Sequence, residues 1–277
     1  MFLWKTIADN ASFIFNPAVR LAFLILTGVL LGFQPAHAAQ TAYSFDEFLV
    51  APLRIHLLTA KDVPALHTTL VESDIQRILV KVNKVWAAAG VHFYVESILK
   101  EEAVRQNLFD KEVAKTELAW VKRHYPEKSR ITNAFNIYYI KQFGVNGVYF
   151  PDSIFVKDTA SLRKVENGLD EPLPRVTSHE LGHALSLPHR QNVTNLMASG
   201  TSGFAFDAAE IERARAAARR FNWIKPAGVL LAEADRLFGQ GQKSEALKIY
   251  QILALLPLES PQLTQVRQRL KNAKVAP

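Results

Sequence analysis

The sequence predicts a mixed α/β fold of the α+β kind, in which strands and helices pack as a sandwich. Segments whose apolar and polar residues alternate, as in strands, are interleaved with segments of helical periodicity, and the chain finishes with helical patterns. With 277 residues, 49% of them hydrophobic and 21% charged, the chain can bury the core of one or two domains.

The first 38 residues have the pattern of a secretory signal peptide. Lys5 and Arg20 precede the apolar run LAFLILTGVLLGF, and Ala36-His37-Ala38 fits the small-x-small cleavage rule. Because the apolar run is short for a bilayer span, we expect an exported protein, periplasmic or secreted, with no stable membrane span after cleavage. The alternative is an uncleaved N-terminal anchor.

Composition argues against two classes of site. The chain has no cysteine, so neither disulfides nor a thiol ligand to a metal can form. The formal net charge is +7, but no basic patch is interleaved with aromatic residues, and we therefore predict no nucleic-acid binding.

The predicted elements follow one another in this order. A strand over 53–60 precedes a helix over 69–89 that ends at Gly90, and a second strand covers 91–98. A charge-rich helix is predicted over 101–124. Two more strands are predicted, one over 133–143 and one over 147–158 that is interrupted at Pro151. A helix over 206–223 follows later, with Asp207 and Glu210 at the spacing of a capping box.

The last 52 residues, 226–277, predict a small helical appendix beyond a linker at Pro226. Residues 232–257 predict a helix hairpin that turns at the sequence GQG, and the positions of Ala246, Tyr250 and Pro257 resemble one tetratricopeptide unit. A single unit cannot bury its own apolar face, so we expect residues 228–277 to pack on the main domain or on a protein partner. Peptide binding by the hairpin is the alternative.

The stretch HELGHALSLPHR, which begins at His179, has the spacing of a metal site. His179 and His183 are four residues apart, so both imidazoles lie on one helix face and can bind one ion. The side chain of Glu180, one residue after His179, points in a different direction around the helix. It is therefore expected to contact a metal-bound water rather than the metal itself. Pro188 is expected to end the helix, and His189 can then turn back as a third ligand. Three imidazoles leave the fourth position of a zinc ion open.

Three other histidines lack ligand spacing and are expected to be structural: His56, His92 and His124.

The pattern H-E-x-x-H with a third histidine six residues later resembles the metzincin clan of zinc metallopeptidases. The clan's signature includes a Met-turn, and Met197 lies in TNLMASG after the third histidine. With lower specificity, the resemblance extends over residues 50–225, where NKVWAAAGVHFYV, FNIYYI and GVNGVYFPDSIFV look like parts of a matrixin-like domain. It implies, for residues 39–225, a twisted mixed sheet, an active-site helix and a hydrophobic base formed by Met197.

One residue departs from the clan's pattern. The clan has glycine three residues after the second histidine, whereas this chain has Ser186. Glycine suits that turn because it adopts positive φ without steric cost. We therefore expect either strain of about 1 kcal/mol at Ser186 or a turn of a different shape.

The resemblance implies an exported zinc metalloendopeptidase, a hydrolase that holds one catalytic Zn2+ through His179, His183 and His189. Glu180 would be the general base toward a zinc-activated water, and the substrate, a protein or peptide, would add alongside the edge around 147–150. Two alternatives are a zinc hydrolase of cell-wall peptides and a non-catalytic zinc-stabilised module that acts through the C-terminal helices. Glu180 argues against the module, because a structural zinc site prefers four protein ligands.

Overall fold

The computed structural model describes residues 43–113 and 118–275, so the predicted signal peptide lies outside the described residues. Within them, the strands form one mixed sheet in the order β2-β1-β3-β5-β4, and a short β6 pairs with β1. The strands are β1 (Leu49–Thr59), β2 (Val91–Glu102), β3 (Phe135–Ile140), β4 (Gly147–Phe150), β5 (Ser153–Lys157) and β6 (Lys225–Pro226).

Strands β2, β1, β3 and β5 run parallel, whereas β4 is antiparallel to β5 and β6 is antiparallel to β1. The α-helices are α1 (Glu72–Trp86), α2 (Phe109–Val113), α3 (Pro172–Ala184), α4 (Ala208–Ala218), α5 (Ala227–Gly239), α6 (Lys243–Leu253) and α7 (Pro261–Val275). The predicted mixed α/β class is confirmed. In the part of the chain that the structure describes, no helix is long and apolar enough to cross a bilayer.

The core lies on both faces of β1, which explains why this strand is almost uninterruptedly apolar. Leu53, Ile55 and Leu57 belong to a cluster with apolar residues of α1, α3 and α4. On the other face, Leu58 packs in a second cluster with residues of the 3-10 helix Leu118–His124. Buried on both sides, β1 is a rigid support for the elements around it.

Two predicted elements differ from the structure. The helix predicted over 101–124 is wrong, because Glu101 and Glu102 extend β2 through pairing with β1, and only the short α2 and 3-10 helices follow among the described residues. The strand predicted over 147–158 is a hairpin of β4 and β5 that turns at Pro151 and Asp152. The charged residues of this segment recur at helical spacing, which is typical of a helix. Pairing with β1 instead holds Glu101 and Glu102 in an extended backbone conformation.

The C-terminal helices share a core with the start of the sheet. Phe45, Phe48 and Val50 pack in one cluster with buried residues of α5, α6 and α7. Residues 225–226 form β6, and the backbone N–H of Ala227 donates to Phe48 O at 2.8 Å. The predicted linker at Pro226 is therefore wrong. Helices α5 and α6 lie in the segment for which a hairpin is predicted, and α7 follows them as a further helix.

The three histidines expected to be structural are all buried. His56 Nδ1 lies 2.6 Å from Glu101 Oε2, and its ring stacks on Tyr138 with 4.0 Å between centroids. His124 Nε2 lies 3.1 Å from Glu112 Oε2. His92 differs, because neither ring nitrogen has a hydrogen-bond partner among the described residues.

We expect His92 to make the protein sensitive to acid. Burial lowers the pKa of His92 from 6.5 to about 4, so the unfolded chain takes up a proton at higher pH than the folded chain does. Stability should therefore fall as pH falls through 6.5 and level off below 4, by about 3 kcal/mol in total. His92→Leu removes this dependence. Denaturant unfolding gives the free energy of unfolding of wild type and His92→Leu between pH 7 and 4, and the difference between the two curves is the contribution of His92. Parallel curves would contradict the prediction.

Candidate metal centre

Helix α3 ends where the sequence predicts. Its C-cap is Leu185, and the following Ser186 has φ of +67°. The N–H of Ser186 donates to His183 O and the N–H of Leu187 donates to Gly182 O, both at 2.9 Å. This pair of bonds is a Schellman motif, which reverses the chain at the helix end and brings Pro188 and His189 back toward the helix.

We expect Ser186→Gly to stabilise the protein by about 1 kcal/mol, because glycine takes a positive φ without the clash of a Cβ. The change should leave metal binding intact. Ser186→Ala is the matched control, since it removes the hydroxyl and keeps the Cβ, and it should bring no gain. Chemical denaturation measures the difference. Loss of zinc in Ser186→Gly would mean that the turn has another role.

The turn brings three imidazoles together. Nε2 of His183 lies 3.2 Å from Nε2 of His179 and 3.1 Å from Nε2 of His189. Among the described residues, these three form the one group of three or more histidines and carboxylates whose ligand atoms all lie within 4.8 Å of one another. His179 is buried, His183 is half-buried and His189 is exposed, so the cluster opens toward solvent on the side of His189.

The hydrogen bonds of the rings set the direction of their lone pairs. Nδ1 of His179 lies 2.9 Å from Leu196 O, and Nδ1 of His183 lies 2.9 Å from Leu187 O. A carbonyl accepts only, so both Nδ1 atoms carry hydrogen and both Nε2 atoms present lone pairs to each other. Burial lowers the pKa of His179 to about 3 and also lowers the pKa of His183, which favours the neutral form of both rings.

These donors fit a zinc ion. Two nitrogens on one tetrahedral zinc, at the usual Zn–N distance, lie roughly 3.3 Å apart. The observed separations agree with this to a few tenths of an ångström. Facing lone pairs at this distance repel unless a cation lies between them, and neutral imidazoles with oriented Nδ1–H groups are the usual zinc ligands.

Met197 lies beneath the cluster. It is fully buried, in a turn in which the N–H of Ala198 donates to Asn195 O at 3.2 Å. A Cβ placed on Gly182 would lie 2.5 Å from Met197 Sδ, so the thioether packs directly against the helix between the two histidine turns. The chain can approach this closely because position 182 is glycine.

Glu180 lines the same cleft as the histidines and is buried, but it makes no hydrogen bond or ion pair with the described residues. Burial raises the pKa of its carboxyl to about 8, and the charge of Arg175 acts in the opposite direction. The carboxylate also lies against the edge strand, since a Cβ on Gly147 would be 2.5 Å from Glu180 Oε1. A cation at the histidines would lower this pKa and favour the ionised form.

Glu210 has a role beyond the helix cap that the sequence predicts, because it connects α4 to the segments around Arg190 and Asn195. As predicted, it forms a capping box with Asp207 at the start of α4. Its buried carboxylate also accepts from Arg190 Nε and from Asn195 Nδ2, both at 2.7 Å. Arg190 follows the third histidine, and Asn195 Oδ1 accepts from the N–H of Met197 at 2.7 Å. One carboxylate thus ties the loop of His189 and Met197 to α4.

Glu210→Gln should weaken zinc binding by roughly 10- to 100-fold, because groups that orient metal ligands typically contribute that much to affinity. The amide cannot pair with Arg190 as a charge, so the segment that carries His189 is held less firmly. Competition with a chromogenic chelator measures the affinity of folded protein. Glu212→Gln, an exposed change on the same helix, is the control, and equal affinities in all three chains would contradict the role.

A cleft of about 890 Å3 runs past these groups. It is lined by the three histidines and Glu180, by residues 145–149 at the edge of the sheet, and by Ser199 and Gly200 beyond Met197. Arg175 also lines it, although no sequence motif marks it as a site residue. Of the tyrosines near the site, Tyr139 is buried with its hydroxyl 2.9 Å from Thr177 Oγ1, whereas Tyr149 lines the cleft.

Comparisons with known proteins give distant structural likenesses. No protein-family model and no curated protein matches the chain. Among solved structures, metalloproteinase-II from Bacteroides fragilis is 10% identical with a TM-score of 0.36, and the match covers 64% of this chain and 56% of that one. A zinc-dependent peptidase from Methanocorpusculum labreanum is 13% identical with a TM-score of 0.28, covering 59% and 99%. The chain thus spans little more than half the length of the Bacteroides protein.

Proposed function

We propose that the chain is an exported, metzincin-like zinc endopeptidase with one catalytic ion. One observation carries the proposal: three imidazoles converge beside Glu180, a buried carboxylate with no hydrogen bond or ion pair to the described residues. A structural site would surround the ion with four protein ligands, whereas this cluster opens into a cleft.

The residues divide the chemistry among them. His179, His183 and His189 hold the ion, and Met197 supports the helix from below. When bound, zinc supplies a Lewis acid that polarises a substrate carbonyl and lowers the pKa of water. Glu180 takes the proton of the attacking water and delivers it to the leaving amine. Burial suits this role, because it raises the pKa of Glu180 from 4.5 to about 8, which is closer to pH 7.

The substrate has a place to bind in extended form. Strand β4 is the last strand in the sheet order, so one of its edges is unpaired within the sheet. Its first residue, Gly147, adjoins Glu180, and Gly147, Val148 and Tyr149 all line the cleft. A peptide that pairs with this edge would bring its backbone past the catalytic groups.

The test is cleavage of a denatured, diverse peptide pool by residues 39–277, the chain after the predicted signal peptide. Glu180→Ala and a chelated sample run in parallel. Cleavage confined to untreated wild type supports the proposal and reports the specificity. Protein that carries stoichiometric zinc yet cleaves nothing would contradict peptidase function. A second pool of cell-wall peptides tests the narrower substrate class, and mass analysis of the exported chain tests cleavage after Ala38.

A second role, binding of a protein partner through residues 228–277, is suggested by three exposed apolar side chains on the C-terminal segment: Val229, Phe238 and Leu255. Deleting the segment is a poor test, because it would uncover Phe48 and Val50. Serine at Val229 and Leu255 keeps this core, and Phe238 is left unchanged because its ring contacts the buried Tyr250. If the surface binds a partner, these changes abolish co-purification and leave peptide cleavage intact.

A further inference from the structure

We propose that Arg175 binds a substrate carboxylate, so that the enzyme cleaves within two residues of an aspartate or glutamate. This inference rests on the proposed peptidase function and adds its substrate class. It follows from a buried cation that lines the cleft with no carboxylate at ion-pair distance.

Arg175 is 2% exposed, yet it is one of the residues that line the cleft. Its Nε donates to Gly203 O at 3.0 Å and its Nη2 donates to Ala198 O. Both acceptors are neutral carbonyls, and these bonds use two of the five N–H groups of a guanidinium. Among the described residues, no carboxylate forms an ion pair with Arg175, although the charge of Glu180 acts on it from a greater distance.

A guanidinium with no carboxylate at ion-pair distance is costly to bury, because the more distant charge of Glu180 compensates only part of the lost hydration. Burial accordingly lowers the pKa of Arg175 to about 10, which still leaves it a cation at neutral pH. The carboxylate whose charge acts on Arg175 is Glu180, and the proposed reaction needs Glu180 to take a proton from the attacking water. A carboxylate brought by the substrate would supply the missing counter-charge, and the guanidinium fork suits bidentate pairing.

The position of Arg175 places this carboxylate near the reacting bond. Arg175 precedes His179 by one helical turn on the same face of α3, a rise of about 5.4–6 Å. Both residues contact one loop, His179 through Leu196 O and Arg175 through Ala198 O. The loop continues to Ser199 and Gly200, which line the cleft. A glutamate side chain on a residue beside the scissile carbonyl has the length to span this distance.

The first experiment uses the wild-type chain. Cut sites in the peptide pool should be enriched for aspartate or glutamate at one position within two residues of the cut. Matched peptides with both ends blocked, differing only by glutamate or glutamine at that position, should differ in kcat/KM by roughly 10- to 100-fold. Equal rates would overturn the proposal while leaving peptidase function in place. A preference that appears only with a free C-terminus would overturn the side-chain assignment.

Substitutions then test the residue itself. In Arg175→Met, the ratio of rates for glutamate and glutamine peptides should fall to near one, and Arg175→Lys should keep an intermediate ratio. The ratio is internal to each variant, so partial misfolding does not affect it. Arg163→Met removes an exposed cation in the segment that bridges to Thr201 and should leave the wild-type ratio unchanged. An unchanged ratio in Arg175→Met would overturn the assignment.

A binding measurement separates this inference from the proposed function. Zinc-loaded Glu180→Ala should bind the glutamate peptide more tightly than the glutamine peptide in calorimetry, whether or not wild type hydrolyses either. If wild type cleaves nothing while this difference is present, the carboxylate site stands and the peptidase proposal fails. If neither rate nor affinity distinguishes the peptides, the carboxylate site fails.

Discussion

Replacing Glu180 with alanine is expected to abolish peptide cleavage while the metal stays bound. General base catalysis typically contributes a factor of roughly 100 to 10,000, and no other carboxylate lines the cleft among the described residues. Zinc binding should persist because the three imidazoles do not depend on Glu180 for a hydrogen bond. The measurements are kcat/KM on a peptide identified from the pool, and zinc content after dialysis.

Two further chains make this result specific. Glu180→Gln keeps the shape of the side chain and removes its basicity, so it should be nearly as inactive as alanine. Glu212→Ala changes an exposed glutamate on α4 and should retain full activity. Substantial turnover by Glu180→Gln would show that another group removes the proton.

The second large effect is expected from His183→Ala. His183 lies between the other two imidazoles, because its Nε2 is 3.2 Å from Nε2 of His179 and 3.1 Å from Nε2 of His189. Its loss therefore removes the central ligand and leaves only two. Zinc sites gain on the order of 10–16 kcal/mol from about four ligands, and removing one should therefore weaken binding at least about 100-fold. Turnover at limiting zinc should disappear with it.

His67→Ala is the matched control for this experiment, because His67 is an exposed histidine outside the cluster. It should keep both zinc affinity and activity. Competition titration with a chelator gives the affinities, and thermal unfolding with and without zinc gives an independent measure, since a ligand stabilises only the folded state that binds it. Wild-type affinity in His183→Ala would refute the three-histidine ligand set.

The central part of the site could be predicted because its geometry is local. His179, Glu180 and His183 share one helix, and the position of Pro188 predicts where that helix ends. Even the backbone at Ser186 was among the expected conformations, with positive φ despite the missing glycine. A spacing of three, four or six residues is enough to predict such an arrangement.

The supporting residues could not be predicted, because their partners are distant in sequence. Glu210 meets Arg190 and Asn195, which are 20 and 15 residues away, only after α4 has packed. Arg175 stands one turn before the first ligand, but nothing in the sequence distinguishes a buried arginine from an exposed one on such a helix. The failed helix over 101–124 has the same cause, since the pairing of β2 with β1 is a tertiary contact.

The burial of Met197 has a practical consequence for spectroscopy. The chain contains two methionines, and the other is Met1, which lies in the predicted signal peptide. In a chain that begins at Ala39, a 13C label on methionine methyl groups would therefore give a single resonance, from a group packed against Gly182. The chemical shift and linewidth of that signal would report metal binding, ligand exchange and the mobility of the loop that contains Met197. No introduced probe and no resonance assignment would be needed.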